Sequence, residues 1–379
     1  MYSWEQRKLG EYANFRRGSF PQPYGNKEWY DGVGSAPFVQ VVDVGDNLSL
    51  VDCTKQRISK LAQPMSVYAE KGSVLVTLQG SIGRVAVSQY DAFIDRTILI
   101  FQGYKYKTNS YFWAYIIKNK FSEEALKAPG GTIKTITKEA LSNFIILYPK
   151  FSEQEQIGSF FEKLDKLITL HQRKLDNLKL KKKALLQKLF PKNGERYPEL
   201  RFPGFTDAWE QRKLGDLLIL LKDGSHGTHK NTDAGVYLLS AKNIKNGRIN
   251  IMPDDRIISW DDYNVIHKNY ELQIGDILLT IVGSIGETAI FNLKTKVTFQ
   301  RSVAFLRPNS NLNNGFLYTL INTDRFQNQL QTKQVVSAQP GIYLGDLATI
   351  DITYPKNILE QEKIYNIFRE IENSITLHQ

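Results

Sequence analysis

The chain has 379 residues, enough for two or three domains, and its 42% hydrophobic and 12% aromatic content excludes a mostly disordered protein. No apolar run approaches the length of a membrane-spanning helix, and no apolar stretch follows the charged N-terminus as in a signal peptide. The 49 basic and 39 acidic residues leave a net charge of +10, which favours a polyanionic partner, with nucleic acid ahead of membrane.

The chain contains two copies of one domain-sized unit. The sequence of Trp4–Gly10 is identical to that of Trp209–Gly215, 205 residues later. Gly72–Gly83 is similar to Gly275–Gly286, 203 residues later. The order is kept in three further pairs at offsets of 206 and 207: Tyr148–Lys150 with Tyr354–Lys356, Glu153–Glu155 with Glu360–Glu362, and Thr169–Gln172 with Thr376–Gln379. This pattern indicates tandem duplication rather than a solenoid of short repeats. Residues 16–70 and 222–270 have little in common, which suggests that each copy binds something different, although drift in loops is the alternative.

The first part of each copy reads as an α+β domain. Short apolar runs predict strands, and Gly, Pro and Asn separate them. The predicted strands are Ser73–Gln79 and Arg84–Val87 in the first copy, Asp276–Val282 and Thr288–Phe291 in the second, and two short strands that end at Tyr148 and Tyr354. Helices are predicted at Tyr111–Leu126 and Phe316–Leu330, followed by loops at Pro129–Gly131 and Pro340–Gly341.

The second part of each copy is predicted to be a long helix. Apolar residues alternate in steps of four and three from Glu153 onward, which is the heptad pattern of a coiled coil. Ser152 is the expected N-cap, and Pro191 ends the helix. At 1.5 Å per residue, about 38 residues make a rod of roughly 57 Å. The predicted seam comprises Ile157, Phe161, Leu164, Ile168, His171, Leu175, Leu178, Leu185 and Leu189, with Lys182 in frame, and then Ile364, Phe368, Ile371, Ile375 and His378. By the repeat, the second helix is roughly 18 residues short.

A search for catalytic motifs finds none that we recognise. The single cysteine, Cys53, excludes an internal disulfide and a cysteine-based zinc site, so we expect no metal site and an intracellular, cytoplasmic protein. His226 and His229 are three residues apart, but without a third ligand they read as loop donors to a phosphate or base rather than a metal pair. The lysine-rich run Lys179–Lys183 has two interpretations, and a solvated face of the coiled coil is favoured over a contact to the DNA backbone.

The two Gly-Ser-Ile-Gly turns, at 80–83 and 283–286, leave two interpretations open. Successive backbone N–H groups of such a turn can cradle a phosphate. A plain hairpin turn accounts for the same residues equally well.

The paired Trp-Glu-Gln-Arg-Lys-Leu-Gly elements, the Gly-Ser-Ile-Gly turns, the Tyr-Pro-Lys and Glu-Gln-Glu junctions and the linker Tyr197–Trp209 resemble the specificity subunits of type I restriction-modification systems. The resemblance covers the whole chain. It implies an α+β architecture of two target-recognition domains (1–150 and 209–356), two helices (151–190 and 357–379) that pair as an antiparallel coiled coil, and a linker (191–208). It also implies that the second helix is incomplete at its C-terminal end.

The resemblance further implies a non-catalytic subunit that directs other subunits to a bipartite target in double-stranded DNA. Its expected partners are two methyltransferase subunits and restriction subunits, with S-adenosylmethionine, ATP and Mg on those partners and no cofactor here. The alternatives are a coiled-coil adaptor that binds proteins only and an enzyme whose motifs escape recognition.

The predicted DNA contacts lie in the divergent segment of each copy and around its Gly-Ser-Ile-Gly turn. Arg and Lys suit guanine edges or phosphates, Gln and Asn suit adenine, and hydroxyl groups suit either. We expect phosphate contacts to outnumber base contacts. The candidates are Arg16, Arg17, Ser19, Gln22, Tyr24, Lys27, Gln79, Ser81 and Arg84 in the first copy, and Lys222, Ser225, His226, Thr228, His229, Lys230, Lys242, Asn243 and Ser284 in the second.

Overall fold

The computed structural model describes residues 4–127, 136–335 and 340–378, and the predicted loop at Pro129–Gly131 lies outside them. The chain divides into two compact units, Met1–Arg173 and Lys174–Gln379, which we call unit 1 and unit 2. The division falls within the long helix, so each unit contains a mixed α/β domain together with part of that helix.

Unit 1 is built on two four-stranded sheets and one two-stranded sheet. The spatial orders are β2-β9-β6-β7, β4-β3-β8-β5 and β1-β10, and only the β3–β8 pairing among them is parallel. The strands are β1 Glu5–Lys8, β2 Ala13–Arg17, β3 Ala36–Val39, β4 Gln56–Ile58, β5 Val67–Ala69, β6 Val74–Thr77, β7 Val85–Val87, β8 Ala92–Ile94, β9 Ile98–Tyr104 and β10 Ile145–Tyr148. In the described part of unit 1, four α-helices accompany them: α1 Leu9–Tyr12, α2 Ser110–Lys127, α3 Lys138–Ser142 and α4 Phe151–Lys188, the last of which continues into unit 2.

Unit 2 repeats the first four-stranded sheet and the two-stranded sheet of unit 1, and it has a three-stranded sheet and a short two-stranded sheet in place of the second four-stranded one. Its sheets have the orders β12-β20-β17-β18, β16-β13-β19, β11-β21 and β14-β15, with β13 and β19 parallel. The strands are β11 Glu210–Lys213, β12 Leu218–Asp223, β13 Val236–Leu239, β14 Ile244–Lys245, β15 Arg248–Ile249, β16 Arg256–Ile258, β17 Ile277–Thr280, β18 Thr288–Ile290, β19 Val297–Phe299, β20 Val303–Pro308 and β21 Asp351–Tyr354. The helices are α5 Trp260–Ile266, α6 Asn314–Ile321, α7 Asp324–Thr332, α8 Leu344–Ala348 and α9 Ile358–Leu377.

The repeated sequence elements hold the start of each domain to the start of its long helix. The strand from Glu5 to Lys8 pairs antiparallel with β10, and its repeat pairs with β21 in the same register. Gln154, in the first turn of α4, is buried, and its Nε2 donates to the Pro149 carbonyl at 2.9 Å. Gln361 makes the equivalent bond to Pro355 at 2.7 Å. The elements that reveal the duplication are therefore structural.

Two local predictions are wrong. The predicted helix Phe316–Leu330 is two helices, because the Thr323 side chain accepts a hydrogen bond from Phe326 N–H and so caps a new helix start. Ser152 is not the N-cap of α4, since the helix begins at Phe151 and the Lys150 carbonyl accepts the first helical bonds from Glu153 and Gln154.

The predicted heptad seam has different surroundings in the two units. In unit 2, Leu185 of α4 and Leu189, just after the end of α4, join one apolar cluster with Ile364 and Phe368 of α9. Lys182 Nζ lies 2.7 Å from Glu372 Oε1. Leu175 and Ile371 are buried, whereas Leu178, Ile375 and His378 are half-buried. In unit 1, the first two seam residues of α4, Ile157 and Phe161, pack against the core cluster and against Tyr115, respectively. The next three seam residues, Leu164, Ile168 and His171, are exposed.

Candidate nucleic-acid interface

Three connections meet at one edge of unit 1. β2 ends there, β6 turns into β7, and β8 turns into β9. Backbone bonds join them: Gly18 N–H donates to the Ile98 carbonyl at 2.9 Å, and Leu78 N–H donates to the Thr97 carbonyl at 2.8 Å. We call residues 16–19, 78–84 and 95–97 the turn edge of unit 1.

Unit 2 has the same edge. Gly224 N–H donates to the Val303 carbonyl at 3.0 Å, and Ile281 N–H donates to the Ser302 carbonyl at 2.9 Å. We call residues 222–226, 281–287 and 300–302 the turn edge of unit 2. The edge therefore belongs to the shared scaffold, although most of its side chains differ between the copies.

Glycine is required at one position of each edge. A Cβ on Gly18 would lie 2.2 Å from the Ile94 carbonyl oxygen, and one on Gly224 would lie 2.2 Å from the Phe299 carbonyl oxygen. Backbone atoms cannot move aside for a side chain as a flexible side chain can. This shared Gly-Ser step lies at the start of the segments that look unrelated in sequence, and it is the local signal that aligns them.

The Gly-Ser-Ile-Gly turns are packed hairpin turns in both units. In unit 1, Gly83 N–H donates to the Thr77 carbonyl at 2.9 Å, and Arg84 N–H donates to Thr77 Oγ1 at 3.0 Å. Ile82 N–H donates to the Gly80 carbonyl at 3.1 Å. The bonds recur in unit 2 around Thr280. Because these three N–H groups already have partners, the geometry favours the hairpin over the phosphate cradle.

Four arginines give the turn edge of unit 1 its charge. Arg16 and Arg17 are exposed at the end of β2 and line a shallow cavity of about 110 Å³ with Lys138. Arg84 forms an ion pair with the exposed Asp46, with 2.9 Å between Nε and Oδ1. The fourth is Arg96, which sequence reasoning missed. Gln79 and Ser81 are exposed beside them.

Arg96 lies against an aromatic side chain. Its guanidinium carbon is 5.1 Å from the centre of the Tyr24 ring, a cation–π distance. The Tyr24 hydroxyl donates to Oδ2 of the buried Asp95 at 2.8 Å and accepts from Gln40 Nε2 at 3.0 Å. Burial and the bond to Asp95 raise the pKa of Tyr24 to about 12, so it stays a neutral donor at physiological pH.

The other predicted residues of unit 1 have local roles. Ser19 Oγ donates to the Met65 carbonyl at 3.2 Å, and Gln22 Oε1 accepts from Tyr24 N–H at 3.1 Å. Lys27 is exposed in the short 3-10 turn Lys27–Trp29, outside the turn edge.

In unit 2, His226 and Arg301 lie around a cavity of about 260 Å³ that Asp223 and the exposed Tyr343 also line. His226 Nε2 is 2.6 Å from Asp223 Oδ2, and its side chain is largely exposed. Lys222 Nζ lies 5.0 Å from the centre of the Tyr270 ring. Thr228, Lys230 and Ser284 are exposed.

His229 lies inside the loop and not at its surface. Its Nε2 is 2.6 Å from Ser225 Oγ, and its Nδ1 is 3.1 Å from Asp262 Oδ1. The hydrogen bond from His229 holds the pKa of Asp262 below its ordinary value. His226 and His229 therefore bond to different carboxylates. Among the residues that the structure describes, no three His, Cys, Asp or Glu side chains are grouped as metal ligands.

Asn243 is also internal. Its Nδ2 donates to the Asn250 carbonyl at 2.8 Å and to Asp255 Oδ2 at 2.6 Å, and its side-chain oxygen accepts from Ser240 N–H. Lys242 keeps its ammonium at the surface but pairs with Asp255 Oδ1 at 2.8 Å. Neither residue belongs to the turn edge.

The two turn edges share a backbone frame and differ in chemistry. Equivalent positions hold Arg17 and Asp223, and also Arg84 and Glu287, which reverses the charge. Two pairs keep a positive charge, Arg96 with Arg301 and Arg16 with Lys222, and all four side chains are exposed. Exposed cations can bind the phosphates of a nucleic acid, and the hydrogen-bonding side chains beside them can contact its bases.

None of the described helices combines the length and apolar character needed to cross a membrane.

Comparison with known proteins yields a family match in both halves. The family model described as the type I restriction modification DNA specificity domain matches residues 1–180 and again residues 206–379. A curated relative, the type I restriction enzyme MjaVIII specificity subunit of Methanocaldococcus jannaschii, is 21% identical over 391 residues, which cover 99% of this chain and 87% of the relative.

A solved structure shows the same fold. The crystal structure of the type I restriction-modification system S subunit from M. genitalium superposes with a TM-score of 0.57 at 15% identity, covering 100% of this chain and 91% of that one.

Proposed function

Given that the chain belongs to the family of type I restriction-modification DNA specificity domains, we propose that it is the DNA-reading subunit of such a system and that each unit reads one half of a bipartite target. The observation that carries the proposal is the pair of turn edges. One scaffold presents two different sets of exposed side chains, as two unlike half-sites would require.

The side chains proposed to contact DNA are those exposed to solvent at or beside the two turn edges. Arginine suits a guanine edge or a phosphate, and Gln and Ser suit the remaining base edges and phosphates. His229 and Asn243 are left out of this set because their polar groups are engaged inside the domain. Within the turn edges the set comprises Arg16, Arg17, Gln79, Ser81 and Arg96 in unit 1, and Lys222, His226, Ser284 and Arg301 in unit 2. The exposed residues Tyr24, Thr228 and Lys230 join it from the loops that follow the first segment of each edge.

The chain would act without catalysing a reaction itself. Two methyltransferase subunits and the restriction subunits would bind to it in the cytoplasm, and S-adenosylmethionine, ATP and Mg would be held by those partners. The long helices would serve as spacer and dock, and an antiparallel pairing of α4 with α9 is supported by two contacts within unit 2. Lys182 of α4 pairs with Glu372 of α9. Phe190 follows the end of α4, and its ring centre lies 6.4 Å from that of Phe368, which precedes Glu372 in α9. The partners on α9 therefore come earlier as the first chain segment advances, as antiparallel pairing requires.

The salt dependence of DNA binding tests the proposal against a protein-only adaptor. Neutralising Z phosphates makes log K fall against log salt with a slope of about −0.9Z. With several cations at each edge, we expect a slope steeper than about −3 for the full chain on duplex DNA. A slope near zero, or no binding at low salt, would favour the adaptor.

A further inference from the structure

Arg96 extends from a turn whose backbone is fixed on both sides. Before it, Asp95 N–H donates to the Val39 carbonyl of β3 at 3.0 Å. After it, the Thr97 carbonyl accepts from Leu78 N–H at 2.8 Å. A side chain on such a turn starts from one defined position, as a group that must meet its ligand in a fixed geometry requires.

The guanidinium of Arg96 is available to a ligand. Its side chain is exposed, and within the described part of the chain it forms no ion pair. Arg84, on the same turn edge, is instead paired with Asp46. Arg96 therefore keeps its charge and its hydrogen-bond donors for an acceptor outside the protein.

A tyrosine ring restrains that guanidinium. The guanidinium carbon lies 5.1 Å from the centre of the Tyr24 ring. The ring is itself held, because it lies 5.2 Å from the ring of the buried Phe20 and its hydroxyl bonds to Asp95 and Gln40. A cation–π contact with a fixed ring restricts the conformations of the arginine before any ligand binds.

The buried carboxylate of Asp95 strengthens the contact. Asp95 is 1% exposed, and its oxygens accept from the Tyr24 hydroxyl at 2.8 Å and from Thr97 N–H at 2.9 Å. A phenol that donates to a carboxylate gains electron density in its ring, and an electron-rich face attracts a cation more strongly. The equivalent residue of unit 2 is the uncharged Gln300, so this carboxylate is a feature of unit 1.

Orientation separates an arginine that reads a base from one that binds a phosphate. A phosphate can be approached from many directions, so a flexible cation is sufficient. Guanine presents O6 and N7 side by side, and only a correctly oriented guanidinium donates to both. Restraining the side chain in advance lowers the entropy cost of that bidentate contact. The restraint on Arg96 therefore favours base reading.

We propose that Arg96 reads a guanine in the half-site of unit 1 and that Tyr24 is the positioning residue that orients its guanidinium. The inference rests on the proposed function, since it assigns a base to one of the two half-sites. Adenine fits less well, because its N6 amino group donates where guanine O6 accepts. Tyr24 then serves the edge through Arg96 rather than through a base contact of its own.

7-Deazaguanine, which lacks the N7 acceptor, tests the contact on the full chain. The half-site of unit 1 is the one that changes when residues 1–150 are exchanged, and anisotropy titrations compare duplexes in which one of its guanines is replaced at a time. At one position we expect replacement to weaken binding of the parent chain about tenfold and to leave the affinity of Arg96→Ala unchanged. Inosine there is the matched control, since it lacks only the minor-groove amino group and should be tolerated.

Tyr24 is tested by its coupling to Arg96. Tyr24→Leu removes the ring, and we expect the tenfold penalty for 7-deazaguanine to fall to about threefold or less. The salt slope should stay the same, because no charge is removed. Adding Tyr24→Leu to Arg96→Ala should cause no further loss of affinity, since two residues that act as a unit are not additive.

Two tyrosine variants complete the comparison. Tyr24→Phe keeps the ring and loses the bond to Asp95, so its penalty for 7-deazaguanine should be intermediate. Tyr106→Leu is the matched control, because this exposed tyrosine lies 5.8 Å from Lys105 Nζ and outside the turn edge. We expect Tyr106→Leu to keep the full penalty.

Several outcomes would overturn the inference. If the half-site of unit 1 contains no guanine, or if 7-deazaguanine weakens the parent chain and Arg96→Ala equally, then Arg96 reads no guanine. If the losses from Tyr24→Leu and Arg96→Ala add, or if Tyr24→Leu weakens binding to every duplex alike, then Tyr24 does not act by orienting Arg96. A full chain that binds no duplex DNA at low salt would refute the proposed function itself, and this inference with it.

Discussion

Arg96 and Arg301 occupy equivalent positions in the two turn edges, 205 residues apart, and each stands in the connection that leads into the long central strand of a four-stranded sheet. Both side chains are exposed. Arg16 and Lys222 are also cations at equivalent positions, but Arg96 and Arg301 are the pair that keeps arginine in both edges.

Replacing Arg96 with alanine is expected to weaken DNA binding by about 1–3 kcal/mol if the guanidinium reads a base, because a bidentate contact is lost. If it binds a phosphate, the salt slope falls by about one unit instead. Arg301→Ala behaves in the same way for the other half-site. Anisotropy titrations over a salt series measure both quantities.

The controls are lysines at the opposite end of each sheet, Lys71→Ala in unit 1 and Lys294→Ala in unit 2, both exposed. They are expected to leave affinity unchanged. Equal losses for Arg96→Ala and Lys71→Ala would mean that charge alone, and not the turn edge, determines binding.

Gly224→Ala is expected to destabilise unit 2 by on the order of 2–3 kcal/mol, because its Cβ would press on the carbonyl oxygens of Phe299 and Gln300. Gly345→Ala is the control, since open space surrounds that Cβ and alanine favours the helix by up to about 1 kcal/mol. Urea unfolding followed by fluorescence compares them. A Gly224→Ala variant as stable as the parent chain would contradict the close backbone approach.

Glu360→Gln is expected to cost about 3–5 kcal/mol, because it leaves the Arg201 guanidinium without its buried carboxylate partner. The matched change in unit 1, Glu153→Gln, is expected to cost less than about 1 kcal/mol, since the amide oxygen still accepts the Trp4 N–H bond. Thermal unfolding of the two variants checks the difference. Similar losses would show that the ion pair adds nothing to the tryptophan bond.

The loop that contains Asp255 is expected to loosen in acid. Burial raises the pKa of the Asp255 carboxyl, but hydrogen bonds from Lys242, Met252 N–H and Asn243 outweigh burial and hold that pKa below its ordinary value. The ionised form therefore stabilises the fold above the unfolded pKa of about 3.9, and this contribution is lost as pH falls through the folded pKa.

Hydrogen exchange of residues 241–255, corrected for intrinsic rates, measures this effect. Protection should fall below pH 4 in the parent chain. In Asp255→Asn, protection should already be reduced at neutral pH and should change little in acid. An identical pH profile in the two proteins would assign the loosening to other carboxylates.

The scaffold could be predicted from sequence because duplication makes it visible. Gln361 and the two Gly-Ser-Ile-Gly turns recur at nearly constant offsets, and their hydrogen bonds recur in both units. The burial of His229 could not be predicted in this way, because it depends on Asp262, which is 33 residues away along the chain. Asn243 is buried by bonds within its own loop, to Ser240, Asn250 and Asp255, and the sequence alone does not show how that loop folds.

Arg96 was missed for a different reason. It lies outside the divergent segment on which sequence reasoning concentrated, and its place at the turn edge follows from the pairing of β8 and β9 with other strands. Comparison of Asp95–Thr97 with Gln300–Ser302 would have found it, since both triplets have arginine at the centre.

Exchanging residues 1–150 for the equivalent segment of a relative tests the central claim most directly. The exchange keeps β1 and β10 together, so the strand pair that anchors the domain is preserved. In cells that contain the methyltransferase subunits, sequencing-based mapping of methylated sites should show a motif with one half changed and the other half retained. A motif changed in both halves, or in neither half with activity retained, would contradict two units that read DNA independently.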